Sequence, residues 1–165
     1  MAPPCGWRHF FCPLVYINSM EIKAPLTDSE WKAYYALRFN VLREPWNQPH
    51  GSEVLADEDQ AIHAIAVEEE IVLGVARMHE SASLQGQVRC VAVATDQQGK
   101  GIGKAIMGAL ETQAKAKGWN EIVLEARENA VPFYKSLGYQ IEQESYLLFG
   151  EIQHYRMKKA LPLSE

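Results

Sequence analysis

Val88 to Met107 reads VRCVAVATDQQGKGIGKAIM, and two spacings meet inside it. Val88, Val91 and Val93 belong to a run rich in β-branched residues, entered at Gly86, which predicts a strand over Gln87 to Ala94. From Ile102 the apolar residues recur every three or four positions. Ile102, Ile106, Ala109, Leu110 and Ala114 share one face of a helix that Gly118 stops. Strand passes to helix through Gln98-Gly99-Lys100-Gly101-Ile102-Gly103. A helix usually begins behind Ser, Thr, Asp or Asn, whose side chain satisfies its first N–H groups. None stands in place here, so those N–H groups stay available, and glycine admits a ligand close to the backbone.

The helix dipole is positive at this end, and Lys100 and Lys104 add full charges. That combination is the chemistry of a phosphate or pyrophosphate site. It is not the P-loop, because Gln98 replaces the first glycine and Ala105 the Ser or Thr after Gly103-Lys104. The dinucleotide pattern fails too, with Lys104 at its last glycine.

Downstream, Glu121 to Ala126 reads as a strand, Asn129 as the cap of a short helix ending at Gly138, and Tyr139 to Phe149 and Ile152 to Lys158 as two last strands. Upstream, Ala61 to Val67 and Ile71 to Met78 form a hairpin around Glu68 to Glu70. Before them come a strand at Glu21 to Ala24, the capping box Thr27-Asp28-Ser29-Glu30, a helix to about Arg43, and a helical turn near Glu53 to Asp57. Alternating strands and helices in the second half predict a parallel pair inside a mixed sheet, fed by an antiparallel meander.

The chain of 165 residues suits one domain: residues 20–165, with 1–19 as a poorly structured extension and Met20 a candidate start. With 16 basic against 21 acidic residues the net charge is −5, which argues against a nucleic-acid or anionic-membrane binder. No apolar run is long enough to span a bilayer. Cys5, Cys12 and Cys90 form no C-x-x-C pair, so a disulfide framework and a zinc cluster lack support; a reducing, cytoplasmic setting fits. Cys90 reads as a small core residue rather than a catalytic thiol. His79-Glu80 does not extend to H-E-x-x-H, since Ser83 occupies the last place, and no metal is expected.

The sequence resembles the GCN5-related N-acetyltransferase (GNAT) family. Gln98, Gly101 and Gly103 match its central Q/R-x-x-G-x-G/A motif, after a Val91-Ala92-Val93 strand. Ala126 to Tyr134, followed by Leu137-Gly138-Tyr139, matches its second cofactor motif, with Tyr139 where Phe is more usual. The resemblance is strong from Val88 to Tyr139. It implies the acyl-CoA N-acyltransferase fold: a mixed, mostly antiparallel central sheet with a splayed parallel strand pair and helices on both faces. It also implies acetyl-CoA as co-substrate. The backbone of Val91 to Val93 would pair with the pantetheine arm as an added strand. Gln98, Gly99, Lys100, Gly101, Ile102, Gly103 and Lys104 would hold the pyrophosphate, and Asn129 and Phe133 would line the thiol end.

The implied reaction is direct attack of an amine on the thioester, with an N–H near Val91 facing the oxyanion. Tyr134 matches the family's general acid; its alternative role is packing with a hydrogen-bonded hydroxyl. Glu125 is the candidate base, with His154, His79 and Glu80 as competitors. Arg38 could meet an acceptor carboxylate or pair with the acidic stretch Asp57 to Asp59. Trp46 and His50 are candidates to shape the acceptor pocket. The partners expected are acetyl-CoA and an amine acceptor, and family members allow a homodimer through edge or C-terminal strands. The competing readings are a non-catalytic acyl-CoA sensor, which would have no need of Tyr134, and an unrelated phosphate binder.

Overall fold

Thr27 and Glu30 close a reciprocal capping box in the computed structural model of the chain, which describes residues 20–162. Thr27 Oγ1 accepts from the Glu30 N–H at 3.2 Å, and Glu30 Oε2 accepts from the Thr27 N–H at 3.2 Å. The helix so started, α1, spans Asp28–Leu42. The 1–19 extension lies outside the described residues.

Seven strands form one sheet: β1 (Glu21–Lys23), β2 (Ile62–Glu68), β3 (Ile71–Ala82), β4 (Gln85–Val93), β5 (Glu121–Arg127), β6 (Gln140–Leu148) and β7 (Ile152–Ala160), in the order β1-β2-β3-β4-β5-β7-β6. Every neighbouring pair is antiparallel except β4 and β5. Glu69 and Glu70, with φ of 49° and 65°, make the β2–β3 turn, the backbone form whose twist matches a hairpin.

Helices cover both faces, as expected. On one face Tyr34 of α1 packs with Ile65, Val75 and Ala92. On the other lie α2 (Ile102–Ala116) and α3 (Val131–Ser136), where Ile106, Met107 and Leu110 meet Met78, Val88 and Ile122. Gly74 sets how closely α2 sits, since a Cβ there would fall 2.7 Å from Ile106 Cδ1. Among the described residues no helix is long and apolar enough to cross a membrane.

Four local expectations need correction. The helical turn foreseen at Glu53 to Asp57 forms instead at Glu58–Gln60. Strand β3 runs on to Ala82 and β4 begins at Gln85, a longer hairpin than foreseen. Asn129 does not cap α3: it is exposed within a 3-10 turn, Glu128–Ala130, and α3 starts without a side-chain cap. Pro132 in that first turn has no N–H, so one donor a cap would serve is missing. Cys90 is not a core residue. It is half-buried at φ 56°.

Cys90 matters for the whole sheet. Val75 pairs with Ala92 but Arg77 with Arg89, so β4 carries one residue more than β3 across this stretch. The extra residue makes a β-bulge, which bends its strand and adds twist. The parallel pairing of β4 with β5 runs from Gln85↔Glu121 to Val88↔Leu124 and goes no further.

Of the two roles open to Arg38, the structure selects the ion pair. Arg38 is fully buried, with Nη1 2.8 Å from Glu58 Oε1. Arg77, also fully buried, pairs with Asp57 at 2.9 Å. His63 lies between these elements. Its Nε2 is 2.7 Å from the Glu58 carbonyl, which only accepts, so Nδ1 of the neutral ring accepts from the Tyr34 hydroxyl at 2.8 Å.

Burial is the largest cause holding His63, His79 and His154 below the ordinary imidazole value of 6.5. The unfolded chain then takes up protons first, so acid favours unfolding. The stability these residues contribute by staying neutral is present above about 6.5 and is lost as pH falls below it. The melting temperature is therefore expected to drop between about pH 7 and pH 5, and less steeply in His63→Gln. A flat profile for the native chain would contradict this.

Candidate active site

Beyond Val88 and Leu124 the parallel strands part, and the gap between them is a cavity of about 330 Å³. It lies within the size range of small-molecule sites. The strand period of two decides which side chains enter from which face. Leu124 and Ala126 of β5 point into the core under α2 and α3. Glu125 and Arg127 point to the α1 face, where Arg127 Nη2 donates to the Leu42 carbonyl at 3.3 Å. Across on β7, Arg156 stands opposite Glu125 and His154 opposite Arg127.

From the α3 side, Tyr134 reaches the cavity wall with only 8% of its surface exposed. Its hydroxyl makes no hydrogen bond among the described residues. Burial pushes the phenol well above its ordinary value, opposed in part by Arg127, so it stays protonated far above neutrality.

Glu125 also lines the cavity. Its Oε1 accepts from Arg156 Nη1 at 3.1 Å, while Oε2 is buried without a partner among the described residues. His154 stacks on Tyr146, ring centres 4.7 Å apart, and its Nδ1–H donates to the Ile152 carbonyl at 2.9 Å. With its pKa lowered by burial, the ring is neutral near pH 7 and its lone pair sits on Nε2. The other two base candidates lie elsewhere: His79 and Glu80 line a separate polar cavity with Asp57 and Gln60.

Beyond the C-terminal end of β4, α2 starts without a side-chain cap behind Gly101, as its sequence predicts. Gly99 and Gly101 adopt φ of 78° and 83°, the left-handed region that favours glycine. Gln98, Gly99, Lys100, Gly101 and Lys104 are exposed there. Gln98 Nε2 donates to the Val93 carbonyl at 3.3 Å, and Lys100 Nζ to Gln97 at 3.1 Å. Ile102 turns its side chain into the core, leaving only its backbone for a ligand. Val91 and Val93 are half-buried on the parted strand, and Ala92 is buried under α1. Phe133 packs against Gly103, where a Cβ would sit 3.1 Å from its ring.

Thus Val91, Glu125 and Tyr134 meet in the cleft, whereas Asn129 and Phe133 do not line it. Neither do Trp46 or His50, and His50 stacks on Phe39 instead. The sequence reading missed Arg43, Arg127 and Tyr146, all of which line the cavity. The available signal for Arg127 was its place directly after the β5 strand pattern. Among the described residues no group of three His, Cys, Asp or Glu side chains could hold a metal ion.

A mostly antiparallel sheet parted at its one parallel pair, with an uncapped glycine-rich helix start following the first strand of that pair, is the acyl-CoA N-acyltransferase architecture. The chain belongs to the GNAT acetyltransferase family, whose domain model matches residues 41–161. It is 29% identical over 132 residues to the uncharacterized N-acetyltransferase YjcF of Bacillus subtilis, covering 80% of this chain and 94% of that one. Its fold is similar to that of an aminoglycoside 6'-N-acetyltransferase solved with coenzyme A, at TM-score 0.76 and 15% identity over 88% of this chain and 99% of the other. It is also similar to the ribosomal-protein-S18-alanine N-acetyltransferase of Escherichia coli, at TM-score 0.68 and 16% identity over 89% and 97% of the two chains.

Proposed function

We propose that this protein transfers the acetyl group of acetyl-CoA to a primary amine of a small molecule or peptide by direct attack. The observation that carries the reading is the gap between β4 and β5, lined by Val91, Glu125 and Tyr134, beside the strand whose chain runs on to the uncapped start of α2. Past Val88 the β5 side of β4 has no ladder partner, so Val91 and Val93 offer their backbone to an amide-bearing arm. The N–H groups from Gly99 to Gly103, with Lys100 and Lys104, suit a pyrophosphate.

In this reading the amine nitrogen bonds to the acetyl carbon and the carbon–sulfur bond breaks. Glu125, whose Oε2 has no partner among the described residues, takes the proton the ammonium must lose. An N–H released by the bulge near Val91 faces the oxyanion. Tyr134 gives its proton to the leaving thiolate. Strand β6, at the sheet edge with Ile141, Tyr146 and Leu147 exposed, is the place for a homodimer contact.

Acetyl-CoA at about 100 times its dissociation constant is expected to stabilise the fold by roughly 2.7 kcal/mol, read as a rise in melting temperature. Gly101→Val should abolish that rise. A Cβ at Gly101 meets nothing within 4 Å, so the damage comes from φ 83° and from the ligand's approach to the backbone. No rise with acetyl-CoA or longer acyl-CoAs would overturn the reading. Binding without turnover across an amine panel would leave a sensor module.

A further inference from the structure

We propose that the amine acceptor carries a carboxylate, held by Arg43 and Arg127 on the α1 side of the cleft. The inference rests on the transferase reading above and names its acceptor class.

Arg38 and Arg77 each meet a carboxylate, and Arg156 meets Glu125 and Glu142 at 3.1 Å each. Arg43, Arg89 and Arg127 line the cavity, and among the described residues none has a carboxylate within 4.0 Å; Arg89 is exposed to solvent, whereas Arg43 and Arg127 are half-buried. Their polar contacts are backbone carbonyls: Arg127 and Arg43 both donate to Leu42, at 3.3 and 3.2 Å, and Arg43 Nε donates to Ser52 at 3.0 Å. Sharing one carbonyl places the two guanidinium groups side by side. A chain with 21 acidic residues does not lack carboxylates to pair them with. Two adjacent, partly desolvated guanidinium groups without a counterion repel each other, and an entering anion relieves that cost. Burial, with Arg43 second, lowers the pKa of Arg127, which agrees with that crowding.

The anion is not the phosphate of coenzyme A in this geometry. The N–H cradle for phosphate opens at the start of α2, on the opposite face of the sheet from Leu42 and Arg43 at the end of α1. Arg127 and Glu125 lie two residues apart on one strand, about 7 Å. An ammonium at Glu125 and a carboxylate at Arg127 therefore fit one small amino acid or peptide. A neutral acceptor would leave both arginines unpaired in the complex, which gives discrimination against it.

The test compares glycine, 4-aminobutyrate and glycylglycine, each against its carboxamide, by kcat/KM and by calorimetric titration of the CoA-loaded protein. The carboxylates are expected to be favoured at least tenfold, mainly through KM, by the charge-assisted pairing. Arg127→Gln and Arg43→Gln should bring the ratio toward one, with Arg127→Lys keeping part of it. The ratio is the readout because Arg127 also bears on Tyr134, so absolute rates move for a second reason. Carboxamides that do as well, a ratio unmoved in both variants, or no binding of either series overturns the inference. Failure of acetyl-CoA to raise the melting temperature would strike the transferase reading instead. Calorimetry of the carboxylate pairs on the unliganded chain then still decides this one.

Discussion

Tyr134→Phe is expected to lower kcat by about 10²-fold or more while leaving acetyl-CoA affinity close to native, since positioned general acids contribute roughly 10²–10⁴. The substitution keeps the ring, and the ring is what packs against Phe133 and Tyr139 at 5.0 and 5.9 Å between centres. The hydroxyl makes no hydrogen bond among the described residues, so its loss leaves no protein partner stranded and costs little stability. In the proposed reaction, what disappears is the proton offered to the leaving thiolate. Its raised pKa keeps the phenol loaded across the neutral range. In the native protein the rate should therefore show no loss from this group until strongly alkaline pH. The measurement is steady-state kcat with the acetyl-CoA melting shift alongside. An unchanged kcat would return Tyr134 to a packing role. A lost melting shift would mean that the hydroxyl holds the ligand rather than the proton.

What the sequence disclosed and what it hid divide along physical lines. Local chemistry was legible: the Thr27–Glu30 box, the uncapped start at Gly101 and the apolar face of α2 follow from neighbours within one helical turn. So did the parallel pair, because strand–helix–strand connectivity allows little else. Cys90 was misread because a bulge is a relation between strands. The residue itself is an ordinary small apolar one, and only the slip between β3 and β4 reveals it. Arg38 was left open for the same reason, since its partner Glu58 lies twenty residues away in a turn that forms later than the spacing indicated. Arg43 and Arg127 come together only at the Leu42 carbonyl, across elements far apart in the chain. The uncapped start of α2 was therefore readable from its neighbours, whereas Asn129 and Phe133 proved not to line the cavity and the α1 side needed the fold.

Glu58→Ala is expected to destabilise the fold by about 3–5 kcal/mol, the usual cost of stranding a buried charge. Against a typical total of roughly 5–15 kcal/mol that is a large share. Arg38 has 1% of its side chain exposed, so its guanidinium cannot recover water when Glu58 goes, whereas Arg77 keeps Asp57 at 2.9 Å. The reverse truncation, Arg38→Met, should cost less, because Glu58 keeps 13% exposure and a second arginine 3.7 Å away. Replacing both members, Arg38→Met with Glu58→Leu, should recover most of the loss, since the desolvation cost leaves with the pair. Urea unfolding of the four proteins tests this order, with the double variant nearer the native chain than Glu58→Ala alone. Additive losses would mean that the two side chains act independently. The network also reaches the cleft: Arg38 Nη2 lies 3.3 Å from Cys90 Sγ, at the bulge where β4 leaves β5. In Glu58→Ala that guanidinium is freed to move, and the bulge loses its contact from α1. Acetyl-CoA binding should therefore weaken in Glu58→Ala even under conditions where the variant remains folded, and the double variant, which restores stability without restoring the contact, should share that weakness.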